Sequence, residues 1–158
     1  MRPDRIVIGE CRSGEALDML QAMNTGHDGS MTTIHANSTR DVLSRLDSMI
    51  LMSGVELPVR AIREMTASAI DVVVQTARLS DGSRKITQVT EVAGMDDDMH
   101  IKFADIFRFK QTAIDRENKN NVIGEFIATG YIPSFYDELI TRGITLSKEI
   151  FTPTETLE

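Results

Sequence analysis

The run Arg5-Ile6-Val7-Ile8-Gly9-Glu10 constrains the fold more than any other stretch of this chain. Three β-branched residues in a row, closed by a glycine and an acid, do not alternate in polarity. They read as a short strand buried on both faces of a parallel sheet. Parallel strands need a long crossover, usually a helix, and the sequence supplies one. Ala16, Leu20 and Met23 fall at i, i+4 and i+7 after Gly14, and Gly26 is placed to end that helix in the left-handed conformation. After a polar loop, Met31 to His35 brings Thr32, Thr33 and Ile34 as a second buried strand.

The alternation continues. Ser38-x-x-Asp41 resembles a capping box ahead of a helix with Val42, Leu46, Met49 and Ser53 on one side, Leu43 and Ile50 beside them, and Gly54 at its end. Pro58 suits the first turn of another helix carrying Val59, Ile62, Met65 and Ala69. From about residue 75 the pattern changes. Ile70 to Thr76 reads as strand, and Asp81-Gly82 between Val72–Leu79 and Arg84–Val92 is a hairpin signal, although Ile86, Val89 and Val92 do not alternate strictly. Beyond the acidic turn Asp96-Asp97-Asp98, Phe107 and Phe109 alternate with Arg108 and Lys110, and Val122–Gly130 answers them as a second hairpin. Pro133 and Ser134 open a last short helix with Phe135 and Leu139 on one side, closed by Gly143, and the tail from Phe151 to Glu158 is expected to fray. The predicted class is α/β in the first part, then β-hairpins and a C-terminal helix.

Composition bounds the function. At 158 residues the chain is one domain or one plus a small appendage, and its net charge of −7 argues against binding nucleic acid by bulk attraction. No apolar run approaches the ~18 residues of a spanning helix, and the N-terminus carries no secretory pattern. The single Cys11 cannot form an internal disulfide, which agrees with a reducing compartment, so a cytoplasmic location is expected. Every lysine (Lys85, Lys102, Lys110, Lys119, Lys148) lies in the second part.

Glu10 ends a strand in the region where α/β sheets bind ligands. A carboxylate there can orient and polarise a water for attack on a phosphoryl group; alternatively it merely begins a loop and caps the following helix. His35 ends the second strand at the same sheet edge, and His27 precedes it in a rim of Gly26, Gly29, Thr32, Thr33 and Asn37. An imidazole there can hydrogen-bond a phosphate oxygen; the plainer alternative is a histidine satisfied by backbone. Cys11, His27 and His35 are chemically suited to zinc, but their spacing matches no finger or ribbon, and a small buried hydrophobe suits Cys11 better. Met19, Met23, Met49, Met52 and Met65 read as core filler rather than as a partner groove. Asp96 to Asp98 lacks the glycine and distal glutamate of a calcium loop and reads as a solvated turn.

Two stretches, Arg2 to Ala16 and Thr25 to Ser38, resemble the type II/IV secretion ATPase superfamily, in particular the branch that powers tight-adherence (Flp-type) pilus assembly and related conjugal-transfer systems. The first resembles that family's Walker B segment, with Gly9 where most P-loop enzymes have aspartate and Glu10 in the place of the catalytic glutamate. The second resembles its histidine box, with His27 and His35 near the terminal phosphate. The likeness continues through Leu43–Leu46, Arg60–Glu64 and Glu91–Gly94. Cys11 and Ser13 depart mildly from the pattern.

The resemblance implies a partial RecA-like P-loop NTPase core from the Walker B strand onward (residues 1–94), then a hairpin and helix subregion (95–158). For the intact protein it implies ATP and Mg2+ as cofactors, a homo-hexameric ring peripheral to the inner membrane, contact with platform proteins of the secretion system, and Arg12 as a link to a neighbouring subunit. A P-loop needs Gly-x-x-x-x-Gly-Lys-[Ser/Thr] to cradle phosphates, yet no lysine precedes Lys85 and none follows a glycine. The chain therefore resembles only the C-terminal part of such a motor, with Met1 read as a start imposed on a truncated gene or fragment, and is expected to be inactive alone. The rival expectation is a catalytically silent module that docks on a full-length ring.

Overall fold

The computed structural model describes residues 3–118 and 120–153. In chain order these form β1 (Val7–Ile8), α1 (Glu15–Asn24), β2 (Met31–Thr32), α2 (Thr39–Met52), α3 (Val59–Ala69), β3 (Val72–Arg78), β4 (Arg84–Met95), β5 (Ile101–Asp115), β6 (Asn121–Ala128) and α4 (Tyr136–Thr141), followed by a 3₁₀ turn, Lys148–Phe151. The fold is mixed α/β, with strands and helices alternating first and an antiparallel sheet afterwards. Two compact units are present, one built from the residues up to 71 with 92–102, the other from 72–91 with the residues from 103 on.

In the first unit β1 and β2 pair in parallel, Val7 opposite Met31 and Ile8 opposite Thr32. The crossover is α1, which ends where Gly26 takes φ +90°, a conformation that costs glycine nothing. Its start lies so close to the end of α2 that a Cβ on Gly14 would sit 3.1 Å from the Ser53 Cα. The Ser38 hydroxyl caps α2 by accepting the Asp41 N–H at 3.2 Å, as the sequence pattern predicts. Helices α1, α2 and α3 pack on one another and bury Leu17, Met19 and Leu20, Leu46, Met49 and Ile50, and Ile62. The Thr66 hydroxyl, also buried, donates to the Ile62 carbonyl at 2.9 Å, so it enters the core without an orphaned donor.

Burial on both faces of the parallel strands is not what the structure shows. Val7 is 68% exposed and Met31 61%, while Ile6, Ile8 and Thr32 are half-buried. Successive strand residues point to opposite faces, so the two-stranded sheet is covered on one face and open on the other among the described residues. Met52 likewise is 74% exposed rather than core filler, and the buried stripe of α3 is Ile62 and Thr66, with Val59 exposed.

The second part of the chain builds a sheet in the order β3-β4-β5-β6. The expected Asp81-Gly82 turn is present, with Gly82 at φ +83°. Asp81 accepts the Ser83 N–H at 2.8 Å and reaches across to the Val122 N–H at 2.7 Å. Thr87 is an extra residue between the pairs Gln75–Gln88 and Thr76–Ile86, a β-bulge, and this accounts for the broken alternation of Ile86 and Val89. The two expected hairpins belong to one sheet, because the turn at Asp96–His100 joins β4 directly to β5.

Behind β6 the chain returns over the sheet. Ile106, Tyr136 and Phe151 form a buried cluster with Val89, Phe107 and Leu146 against it. Phe151 stacks on Phe107 at 5.9 Å and meets the edge of Tyr136 at 5.8 Å, so fraying does not begin at Phe151; residues 154–158 of the expected frayed tail lie outside the described residues. The buried Glu91 carboxylate accepts the Ser134 N–H at 3.1 Å and the Ser134 hydroxyl. Burial, and then that carboxylate, push the Tyr131 phenol above its usual range.

Phe151→Ala removes a buried ring and is expected to lower the unfolding free energy by about 3 kcal/mol in denaturant titration; a change of less than about 0.5 kcal/mol would mean that the ring is not packed in solution. A second expectation concerns acid. The Ser83 hydroxyl, the Val122 N–H and the Ser83 N–H lower the Asp81 pKa from 3.8 to about 2. A depressed folded-state pKa gives stability that is complete above the unfolded value and lost as pH falls through the folded one. Thermal melts of the wild type should therefore lose more stability than Asp81→Asn between about pH 4 and about pH 2, and parallel curves would contradict this.

Candidate functional site

Glu10 stands two residues beyond β1 and His35 three beyond β2, and parallel pairing brings both to one edge of the sheet. The ladder extends past the strands proper, because the Cys11 N–H donates to the Thr33 carbonyl at 2.9 Å. His35 Nε2 lies 2.8 Å from Glu10 Oε1, and the Arg12 guanidinium donates to Glu10 Oε2. The carboxylate is 22% exposed, while the His35 and Arg12 side chains are largely in solvent. The hydrogen bond from Arg12 holds the Glu10 carboxyl below its usual range; partial burial opposes this, and the charges of Arg12 and His35 add to it. Glu10 thus stays ionised and acceptor-only at neutral pH.

Glu10 does not cap α1. No side chain does; Glu15, the first residue of α1, instead folds back on the preceding turn, its Oε1 accepting the Arg12 N–H at 2.6 Å and the Ser13 N–H at 3.1 Å. Arg12 is thereby tied at its backbone to Glu15 and at its side chain to Glu10, within the same chain.

His27 is placed differently. Its Nδ1 is 3.0 Å from the Ala22 carbonyl of α1, and since a carbonyl only accepts, Nδ1 carries the proton. Its ring is fixed against the last turn of α1, with Nε2 left over. The loop holding it is tied to the sheet by Ser30, which accepts the Ile6 N–H at 2.9 Å and donates to the His27 carbonyl at 2.6 Å. The structure therefore joins Glu10, Arg12 and His35 into one cluster and sets His27 on the helix end.

Cys11 is 2% exposed, its Sγ 4.0 Å from the Met49 Sδ, and burial followed by the nearby Glu15 charge pushes its thiol up. It sits in the core, whereas His27 and His35 face Ala22 and Glu10. Among the described residues no group of three or more His, Cys, Asp or Glu side chains is placed to hold a metal ion. Beside His35 a polar cleft of about 500 Å³ runs along the first half of α2, lined by Asn37, Asp41, Ser44, Arg45 and Ser48 among others.

The sequence reading gave no role at the site to Ser30 or Glu15, and placed Thr33 in the second strand and its polar rim without a partner. Thr33 donates its hydroxyl to the Gly9 carbonyl. The signal available for it was its place two residues before His35 on a strand paired with the one ending at Glu10.

Known proteins bear on this geometry. The family described as Type II/IV secretion system protein matches residues 1–122, and the chain belongs to that family. It is 38% identical over 94 residues to the conjugal transfer protein TrbB of Rhizobium radiobacter, covering 60% of this chain and 28% of that protein. It is 38% identical over 89 residues to the putative conjugal transfer protein Rv3659c of Mycobacterium tuberculosis, covering 56% and 25%. Among solved structures it resembles the VirB11 ATPase of the Brucella suis type IV secretion system in complex with sulphate, with a TM-score of 0.54 and 38% identity over 58% of this chain and 28% of that one. The chain spans about a quarter of the length of the curated relatives it matches.

Because the Arg12 hydrogen bond is the largest influence on the Glu10 carboxyl, Arg12→Ala is expected to raise its titration midpoint toward the ordinary value more than His35→Ala does. A carboxyl-carbon NMR titration reads both, and the reverse order would contradict the arrangement.

Proposed function

We propose that this chain is the C-terminal portion of a RecA-like secretion ATPase, and that Glu10 is the carboxylate that orients and activates the attacking water. The observation that carries the proposal is the 2.8 Å contact between His35 and Glu10 at the edge of the parallel sheet, in a chain of this family. An ionised carboxylate with fixed partners can accept a proton from water in the chemical step. Arg12 keeps it ionised, and His35 holds it in place and stands where a terminal phosphate would be sensed. His27 Nε2, which has no partner among the described residues, is the ring atom through which it would reach a phosphate oxygen.

ATP with Mg2+ is the cofactor pair this reading implies, and the residues present fit part of it. They supply the water-activating acid and two imidazoles. They do not supply the phosphate cradle, since no lysine precedes Lys85, nor a Walker B aspartate, since Gly9 stands there. Another part of the motor, carrying the phosphate-binding loop, would hold the phosphates and the metal.

Within that motor, residues 1–94 complete the ATPase core and 95–158 form a C-terminal subregion. The assembly is a homo-hexameric ring, cytoplasmic and peripheral to the inner membrane, that engages secretion platform proteins and couples ATP hydrolysis to pilin assembly or protein export. No helix among the described residues is long and apolar enough to cross a membrane, which fits attachment through partners.

The test joins this chain to the upstream half of a family motor. Glu10→Gln should then lower ATP turnover by about 100-fold while leaving ATP binding unchanged, as for a group acting in the chemical step alone. Equal losses of binding and turnover would make Glu10 structural. A joined wild type that binds ATP without turnover would favour the silent docking module.

A further inference from the structure

Glu10 reaches its partners through its own backbone, and that backbone is held in an unusual way. The peptide group preceding Glu10 ends in the Gly9 carbonyl, and the one following it carries the Cys11 N–H. Both are bound by the same residue. The Thr33 hydroxyl donates to the Gly9 carbonyl, and the Thr33 carbonyl accepts the Cys11 N–H at 2.9 Å. Peptide groups are rigid planes, so the φ and ψ angles of Glu10 are the rotations between these two planes. A residue that grips both planes fixes both angles.

The carbonyl half of this grip is a backbone hydrogen bond, available to any residue at position 33. The hydroxyl half is not. It takes up the Gly9 carbonyl, one residue beyond Ile8, the last paired strand residue. A β-branched side chain has few χ1 choices, so the hydroxyl is aimed by the local backbone. Thr33 is exposed, and its hydroxyl has water as an alternative partner, so the bond contributes little to folding. Its effect is local orientation.

We propose that Thr33 is the positioning residue of Glu10: by binding the peptide groups on both sides of it, Thr33 presents the carboxylate to Arg12 and His35 at a fixed angle. Thr33 touches no reacting atom and acts through Glu10 alone. His35 follows two residues later on the same segment, so one stretch of chain both orients the acid and contacts it. The catalytic meaning rests on the water-activating reading of Glu10; the positioning itself does not.

The experiment compares Thr33→Val, which keeps the branched shape and deletes the donor, with Thr33→Ser, which keeps the donor. In the chain as it stands, the Glu10 carboxyl is followed by carbon NMR against pH. Thr33→Val is expected to raise the titration midpoint by about half a pH unit, because a rocking carboxylate loses part of its hydrogen bonding to Arg12 and His35. Thr33→Ser should restore the wild-type curve, and the thermal midpoints of all three should agree within a few degrees. A Thr33→Val curve that coincides with the wild type overturns the proposal, as does a fall in thermal stability with the Glu10 titration unmoved. In the motor completed with its upstream half, Thr33→Val should lower kcat about tenfold with KM for ATP unchanged, and Thr33→Ser should recover it. If Glu10→Gln leaves turnover intact there, the water-activating reading fails, and the titration still decides whether Thr33 positions Glu10.

Discussion

Two parallel strands cannot be joined by a tight turn, so the chain between Ile8 and Met31 must leave the sheet and return to the same end before it pairs. It does so through α1, and the rest of the first unit depends on that path. The return requires a helix start that closes against the end of α2, which Gly14 permits, and a stop at Gly26. The polar loop after Gly26 is then anchored back to the sheet by Ser30. Because the strands run the same way, the residues following each emerge at one edge, and the carboxylate of one meets the imidazole of the other.

The parts of this fold that were legible in the sequence are those fixed by local chemistry. Ser38 caps its helix through one hydroxyl, Gly82 turns a hairpin because it accepts positive φ, and the Phe107–Phe109 alternation survives into a paired strand. What was not legible depends on distant partners. Whether Val7 is buried is decided by what lies against the outer face of β1, which the run Ile6-Val7-Ile8 does not encode. Phe151 looked like tail because it stands near the C-terminal end of the sequence, and its burial comes from Phe107 and Tyr136 on other elements. The β-bulge at Thr87 had a visible trace in the broken alternation, though nothing in the local sequence said which residue was extra.

The site shows the same division. That Glu10 and His35 share an edge follows from strand direction and was readable. That Arg12 turns back on Glu10, and that His27 faces the carbonyl of Ala22, are matters of side-chain rotamer and helix end, and the spacing of the residues does not carry them. The cluster is also more exposed than an acid in a closed catalytic crevice, since Arg12 and His35 stand mostly in water. Salt and solvent screen such charges, so the geometry of Glu10 is set by hydrogen bonds to its side chain and backbone more than by long-range fields.

The clasp between Glu91 and Ser134 links positions 43 residues apart in sequence. A ribosome delivers the chain from its N-terminus, and β4 and β5 emerge well before the segment that carries Tyr136 and Phe151. Until that segment has left the exit tunnel, the apolar face formed by Val89, Ile106 and Phe107 has no cover of its own and Glu91 has no donor from Ser134. Long-range contacts of this kind form late in folding, and uncovered apolar sheet is where nascent chains associate wrongly or attract chaperones. The interval before that segment emerges is therefore one in which this sheet is open to misassembly.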